Sequence, residues 1–293
     1  MDLTTIFYHS DNFCNLFEKE FEIKLLSTGI VRTKKEFCLT PGKVMAIAVY
    51  YHRSGYKTFK DYYTRSYELK SGFPSMPSYN RFIELQQKIT LPLNVFMQII
   101  ITQNKCTGAS FIDSFPLPVS HIKRASSHKT FANSARKGKT STGWFYGFKV
   151  HLVINDRSEI LDFVITAGNI ADNNKAVIGS MTKRLQGKVY GDRGYLLNAK
   201  FFRKIYDKGV HIVTKLRRNM VNKLMPLADK LMLRKRGIIE TVGAILKEDI
   251  NIQHSRYRSP ITFVINVFSA LIAYSLNPKK PSIRKKNLIL LPS

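Results

Sequence analysis

With 293 residues the chain has room for one large domain or two ordinary ones, and 44% hydrophobic with 23% charged residues predicts a core that needs no disulfide staples. Its 47 Lys and Arg against 20 Asp and Glu leave a net charge of +27, an excess that repels itself and is easiest to sustain when the working state includes a polyanion. A membrane surface would ask for one amphipathic basic helix and a ribosomal protein for a shorter chain with long basic tails. Here the charge is spread along the whole sequence, so nucleic acid is the first expectation and an acidic protein partner stays open.

Met1-Asp2-Leu3 lacks the basic start of a secretory signal. Residues 1–105 read as helical. Phe13, Leu16, Phe17, Phe21 and Ile23 fall near helical spacing between Asn12 and Leu26, and Thr40-Pro41 is a cap followed by Pro at the first helical position, opening a helix to about Arg53. Gly55 ends it. Further helices are expected from Thr58, from Tyr79 to about Ile89, and from Pro92 to about Thr102. Arg53, Lys57, Lys60, Arg65 and Arg81 among several tyrosines suit a helix-turn-helix-like unit binding DNA ends, and equally a helical cap. Cys14, Cys38 and Cys106 are odd in number and far apart, which predicts buried thiols in a reducing cytosol.

The pattern changes at residue 106. Strands are expected at Ala109–Phe115, Trp144–Ile154, Glu159–Thr166, Lys188–Asp192 and Val210–Leu216, with helices at Asn174–Leu185, Asn198–Asp207 and Leu231–Lys247. Strands joined by helical crossovers predict an α/β fold, a mixed five-stranded sheet flanked by helices, over residues 106–277. Between the first two strands, His121 to Thr142 is expected to be a basic loop whose Lys123, Arg124, Lys137 and Lys139 contact phosphate. The apolar run Ile261–Leu276 is too short for a membrane span, contains Asn266, and predicts a buried helix; residues 278–293 predict a basic tail.

Three acids stand out. Asp113 interrupts an apolar strand, where a carboxylate is costly unless it is paired or binds a metal. Asp192 ends a later strand beside Gly191 and Gly194, where sites form in open α/β sheets. Glu240 shares one narrow sector of the late helix with Arg236 and Lys247. Singly, each has a structural explanation: a turn cap, an Asx turn, a helical ion pair. Asp162 and Asp172 are rival acids, Asp162 facing solvent and Asp172 capping a helix or supporting the site. Lys149 could reach DNA, while His151 on the same strand face fits a satisfied sheet histidine.

Asp113 in FIDSFPL, Asp192 in VYGDRGY, and Arg236, Glu240 and Lys247 in the Arg-x3-Glu-x6-Lys spacing resemble the motifs of DDE transposases from bacterial insertion sequences. The basic stretch Ile252 to Pro260 with the apolar helix after it resembles the insertion-sequence family numbered nine-eighty-two. The broader signature has Tyr three residues before the Arg, where this chain has Leu233. The resemblance implies an RNase H-like fold preceded by a small all-α domain. It also implies catalytic Asp113, Asp192 and Glu240 holding two Mg²⁺ ions (Mn²⁺ as substitute), with Arg236, Lys247 and Arg193 at phosphates. The implied activity is cleavage and strand transfer at the terminal inverted repeats of its own element, in the bacterial cytoplasm at the nucleoid. The implied partners are double-stranded DNA ends and target, bound by a homo-oligomer without a membrane. A nuclease or resolvase that cuts without joining, and a DNA-binding descendant without chemistry, are the alternatives.

Overall fold

A computed structural model describes residues 1–27, 39–141, 143–215, 225–253 and 259–283. Cys38, Thr142, Leu216, most of the basic stretch Ile252–Pro260 and the end of the basic tail lie outside the described residues. The chain divides into two compact units.

The first unit is all helical: α1 (Leu3–Ser27), α2 (Pro41–Tyr51), α3 (Phe59–Arg65), α4 (Tyr67–Gly72), α5 (Tyr79–Lys88) and most of α6 (Thr90–Gln103). Starts follow from capping chemistry. Thr40 accepts a hydrogen bond from the Lys43 amide ahead of Pro41, and Thr58 and Ser78 cap α3 and α5 in the same way. Gly55, at φ +75, makes the turn after α2 that a side chain would strain. Helix α2 is buried on every side, which is what its unbroken apolar sequence requires. The tyrosines among those basic residues are core: Tyr50, Tyr51, Tyr62 and Tyr63 are buried, Tyr62 edge-on to Phe59 and Tyr63 against both Phe59 and Phe82. The late helix α11 (Pro260–Ser275), capped by Ser259, is a buried helix as expected, yet it packs with α2 and α5 in this unit rather than under the sheet. Among the described residues no helix is long and apolar enough to cross a membrane. Cys14 is buried against Met45, and burial pushes its thiol up to about 12; Cys106 is half-exposed, not buried.

The second unit holds a mixed sheet built from β1 (Ala109–Ser120), β2 (Arg136–Thr140), β3 (Gly143–Asn155), β4 (Ile160–Ala167), β5 (Gly187–Gly191) and β6 (Val210–Thr214). Strands β1, β3 and β4 pair antiparallel; β5 and β6 follow through α7 (Lys175–Met181) and α8 (Ala199–Tyr206) and pair parallel, giving the order β4-β3-β1-β5-β6 of the expected mixed sheet flanked by helices. Two features depart from the expected five short strands. Strand β1 runs on through Pro116 and Pro118 to Ser120. β5 pairs with β1 over Ala109–Phe111, and beyond that point no strand among the described residues lies on this edge of β1, where a proline costs no ladder bond. And the expected basic loop is folded: Phe131 is buried as an anchor, and β2 adds to β3 as a sixth strand.

Alternation sorts the sheet into two faces. Ile112, Val153 and Val189 join the core under α7 and α8. Phe111 and Tyr190, paired across β1 and β5, have their rings 5.8 Å apart on the other face, toward α9 (Leu227–Lys235) and α10 (Gly237–Glu248). There Gly243 of α10 lies over the Phe115 ring.

Candidate active site

Asp113 and Asp192 each lie two residues past the Phe111–Tyr190 pair: Asp192 directly follows β5, and Asp113 lies within β1 just beyond the stretch that pairs with β5. Period-two alternation therefore puts both on the face covered by α9 and α10, and strands are only ~4.8 Å apart. Gly191 is what lets the chain turn there: a Cβ would press on Ile112 and the Tyr195 side chain. Asp192 caps the short 3-10 turn Arg193–Tyr195 by accepting the Arg193 amide at 2.6 Å. The third acid arrives on α10. Arg236 closes α9 in helical conformation and Gly237 opens α10, so Glu240 stands one turn beyond Arg236.

Arg236 joins two of the acids. One guanidinium nitrogen is 3.3 Å from Asp113 Oδ2 and another donates to Glu240 Oε1. Asp113 Oδ1 accepts the Ser114 amide at 2.9 Å. The local bonds that each acid could make on its own are thus all present, and they coexist with proximity: burial pushes the Asp113 carboxyl up to about 6 against the pull of Ser114 and Arg236, and Glu240 and Asp192 add to the rise by repulsion. Among the described residues no three His, Cys, Asp or Glu side chains are grouped tightly enough to hold a metal ion together; the Arg236 guanidinium bridges Asp113 and Glu240. The donor chemistry nevertheless suits a hard divalent cation. All three groups are carboxylates, and the repulsion felt at Asp113 is what a bound cation relieves.

The other expected residues divide. Lys123, Arg124, Lys137, Lys139 and Arg193 are exposed, and Lys247 is half-buried on α10. Lys149 is not a free cation at the surface. Its ammonium is 3.0 Å from the Ile170 carbonyl and 3.2 Å from Asp172, with the side chain 12% exposed. Asp172 also accepts from Ser114 Oγ at 2.7 Å and lies against Gly194. It does not cap α7, which Asn174 caps, but ties Lys149 and the residue after Asp113 together on the opposite side of β1. His151 is a sheet histidine but only half satisfied: Nε2 is bonded to Thr166 at 2.9 Å while the buried Nδ1 has no partner among the described residues, and burial lowers it to about 4, hence neutral. Asp162 is half-buried rather than solvent-facing, and burial raises its pKa.

One group drew no attention in the sequence. Asp229, buried on α9, accepts from Lys188 Nζ at 2.8 and 2.9 Å and from the Tyr190 hydroxyl at 2.9 Å. Burial pushes its carboxyl up, but those donors outweigh it and hold the group below its ordinary value. No local spacing announces this contact between β5 and α9; the only sequence signal is an acid on the apolar side of a helix beside Met232 and Leu233.

No curated protein matches the chain. A piggyBac transposase, solved by cryo-EM in a synaptic complex with hairpin DNA, superposes with a TM-score of 0.45 at 10% identity, covering 92% of this chain and 71% of that one. The model of the transposase DDE domain family matches residues 103–260. That span runs from before β1 to the start of α11, takes in Asp113, Asp192 and Glu240, and makes up more than half of the sequence, so this chain belongs to the DDE-domain transposases.

Proposed function

We propose that the protein cuts DNA at the terminal inverted repeats of its own insertion sequence and joins the freed ends to a target, using Asp113, Asp192 and Glu240. The observation that carries this is the burial of Asp113 beside two further carboxylates, on a sheet face reached from β1, the end of β5 and α10. Membership of the family sets the class of reaction; cleavage followed by joining, and an element of the nine-eighty-two kind, are our reading of these residues.

The three carboxylates would hold Mg²⁺, two ions in the full site, with Mn²⁺ as a substitute. When bound, the metal activates the attacking oxygen and stabilises the leaving one in an in-line displacement at phosphorus. The protein's own residues supply position. Strand β1 fixes Asp113 through its backbone pairing with β3, and Arg236 restrains Glu240 from one turn away. Arg236 and Lys247, four residues before and seven after Glu240 in the sequence, would take phosphate oxygens and offset charge developing at phosphorus. Two ends must be paired before joining, so a homo-oligomer on DNA belongs to the proposal.

Strand-transfer assays on Asp113→Asn, Asp192→Asn and Glu240→Gln test it. Each change is expected to abolish joining, by a factor of at least ~100, while DNA binding persists. Full activity in all three variants would end the assignment. Labelling the donor end separates a transposase from a nuclease, since only the former yields a joined product. Short inverted repeats on either side of the gene are the corresponding expectation in the surrounding DNA.

A further inference from the structure

Strands β2 and β3 form a hairpin of unusual composition. Trp144, the only tryptophan of the chain, sits near the turn end of the hairpin with 61% exposure. Lys139 is its direct cross-strand partner, and the ammonium lies over the indole, 5.7 Å from the ring centroid. Lys137, also exposed, lies two residues along on the same face, opposite Tyr146. The hairpin is held on both faces: on the face of Trp144 the Tyr146 hydroxyl donates to the Phe131 carbonyl at 3.2 Å, and on the other β2 passes so close to Gly168 that Gly138 has no room for a Cβ. An exposed indole on a rigid support, flanked by cations and with no acid between residues 121 and 144, is hydrophobic area left uncovered in a strongly basic setting.

We infer that this hairpin is a stacking platform for an unpaired DNA base, with Trp144 taking the base and Lys139 and Lys137 the phosphates beside it. The inference rests on the proposed function for its partner class, DNA. Its further content is the state of that DNA. An indole cannot stack on a base inside an intact duplex without displacing its neighbours, whereas a single strand or an extruded nucleotide offers a free face to any base identity. Cations at alternate positions of one strand match a backbone that is followed rather than read. The platform is not at the cleavage point. Trp144 and Leu152, the residue paired with Asp113, are eight residues apart along β3, at most roughly 26 Å at ~3.3 Å per residue. Counted at the ~3.4 Å rise of a duplex strand, the base it takes lies no more than about seven or eight nucleotides from the bond being cut.

A single tryptophan makes the test direct. The full chain, excited at the red edge where tyrosine does not absorb, is titrated with a fluorescently unlabelled single strand, a blunt duplex, and a duplex carrying a short unpaired stretch. Anisotropy of labelled versions of the same DNAs reports binding independently. The expectation is quenching of Trp144 by the single strand and the interrupted duplex, with little change for the blunt one. Trp144→Ala should weaken binding of the single strand by about ten-fold or more and leave the blunt duplex nearly unaffected, with Trp144→Phe recovering part of the loss. Circular dichroism confirms that each variant is folded, and Trp144→Phe keeps the test meaningful if the alanine variant is not. DNA that binds by anisotropy while the indole emission stays unchanged overturns the platform and leaves the proposed function standing, as does equal quenching by all three DNAs. Failure to bind any of them overturns both.

Discussion

At the scale of single residues, the energetics of the site centre on Asp113, whose carboxyl is raised by burial from 3.8 to about 6 in the folded chain. The sign of the consequence is fixed. Between about pH 4 and 6 the folded state holds a proton that the unfolded state has lost, so stability falls as pH rises through that window and is level above it. The side chain is 27% exposed, which trims the cost to the order of ~1–2 kcal/mol. With chelator present, Asp113→Asn is expected to melt several degrees above the parent at pH 8, the difference closing toward pH 4. A difference that does not change with pH would remove burial as its cause. Adding Mg²⁺ at pH 8 should raise the melting temperature of the parent and not of the variant, because only the parent gains a ligand on folding. Asp113 was legible in the sequence because an acid inside Phe111-Ile112-Asp113-Ser114-Phe115 contradicts its surroundings, and Arg236 with Glu240 because helical spacing is local. The Lys149–Asp172 pair was not: it links β3 to the segment after β4, twenty-three residues on, and no periodicity relates the two.

Among the elements, the least anchored by its own sequence is α9, which begins at Pro226 without a side-chain cap and carries Arg236 at its end. Its hold on the sheet is Asp229, taken by Lys188 and Tyr190 of β5. Lys188 is 40% exposed, so the charge pair is partly screened; the larger loss on truncation is the buried Tyr190 hydroxyl left without its acceptor. Asp229→Ala should therefore cost about 2 kcal/mol and speed hydrogen exchange in α9 and the first turn of α10, while Asp229→Asn, which keeps an acceptor, should cost clearly less. Exchange unchanged in α9 would show that apolar packing of Met232 and Leu233 suffices. The sequence reading began this helix at about Leu231, a turn late, for lack of a cap signal. It ended β1 at Phe115 for the related reason that Pro116 and Pro118 look like terminators until the sheet shows an open edge for them, and it took β2 for a loop because Arg-Lys-Gly-Lys-Thr has neither alternation nor apolar content. Elements with their own pattern were legible; those made by a neighbour were not.

For the whole molecule the dominant quantity is the net charge of +27, which predicts how binding responds to salt. Each Lys or Arg that meets a phosphate releases counterions and adds about 0.9 to the slope of log affinity against log salt concentration. Lys123, Arg124, Lys137 and Lys139 are exposed on one acid-free segment, so replacing all four by alanine should lower the magnitude of that slope by about 3 to 4 and weaken duplex binding to a similar degree whatever its sequence. Lys149→Ala is the internal contrast. Its charge is turned inward to Asp172, so the slope should stay as it is even if stability falls. A slope that drops for Lys149→Ala as well would mean that Asp172 releases the lysine when DNA arrives. A slope unaffected by the fourfold change would move the DNA path off the hairpin and onto other basic residues, and an affinity insensitive to salt in every variant would argue that the excess charge serves an acidic protein and not a nucleic acid.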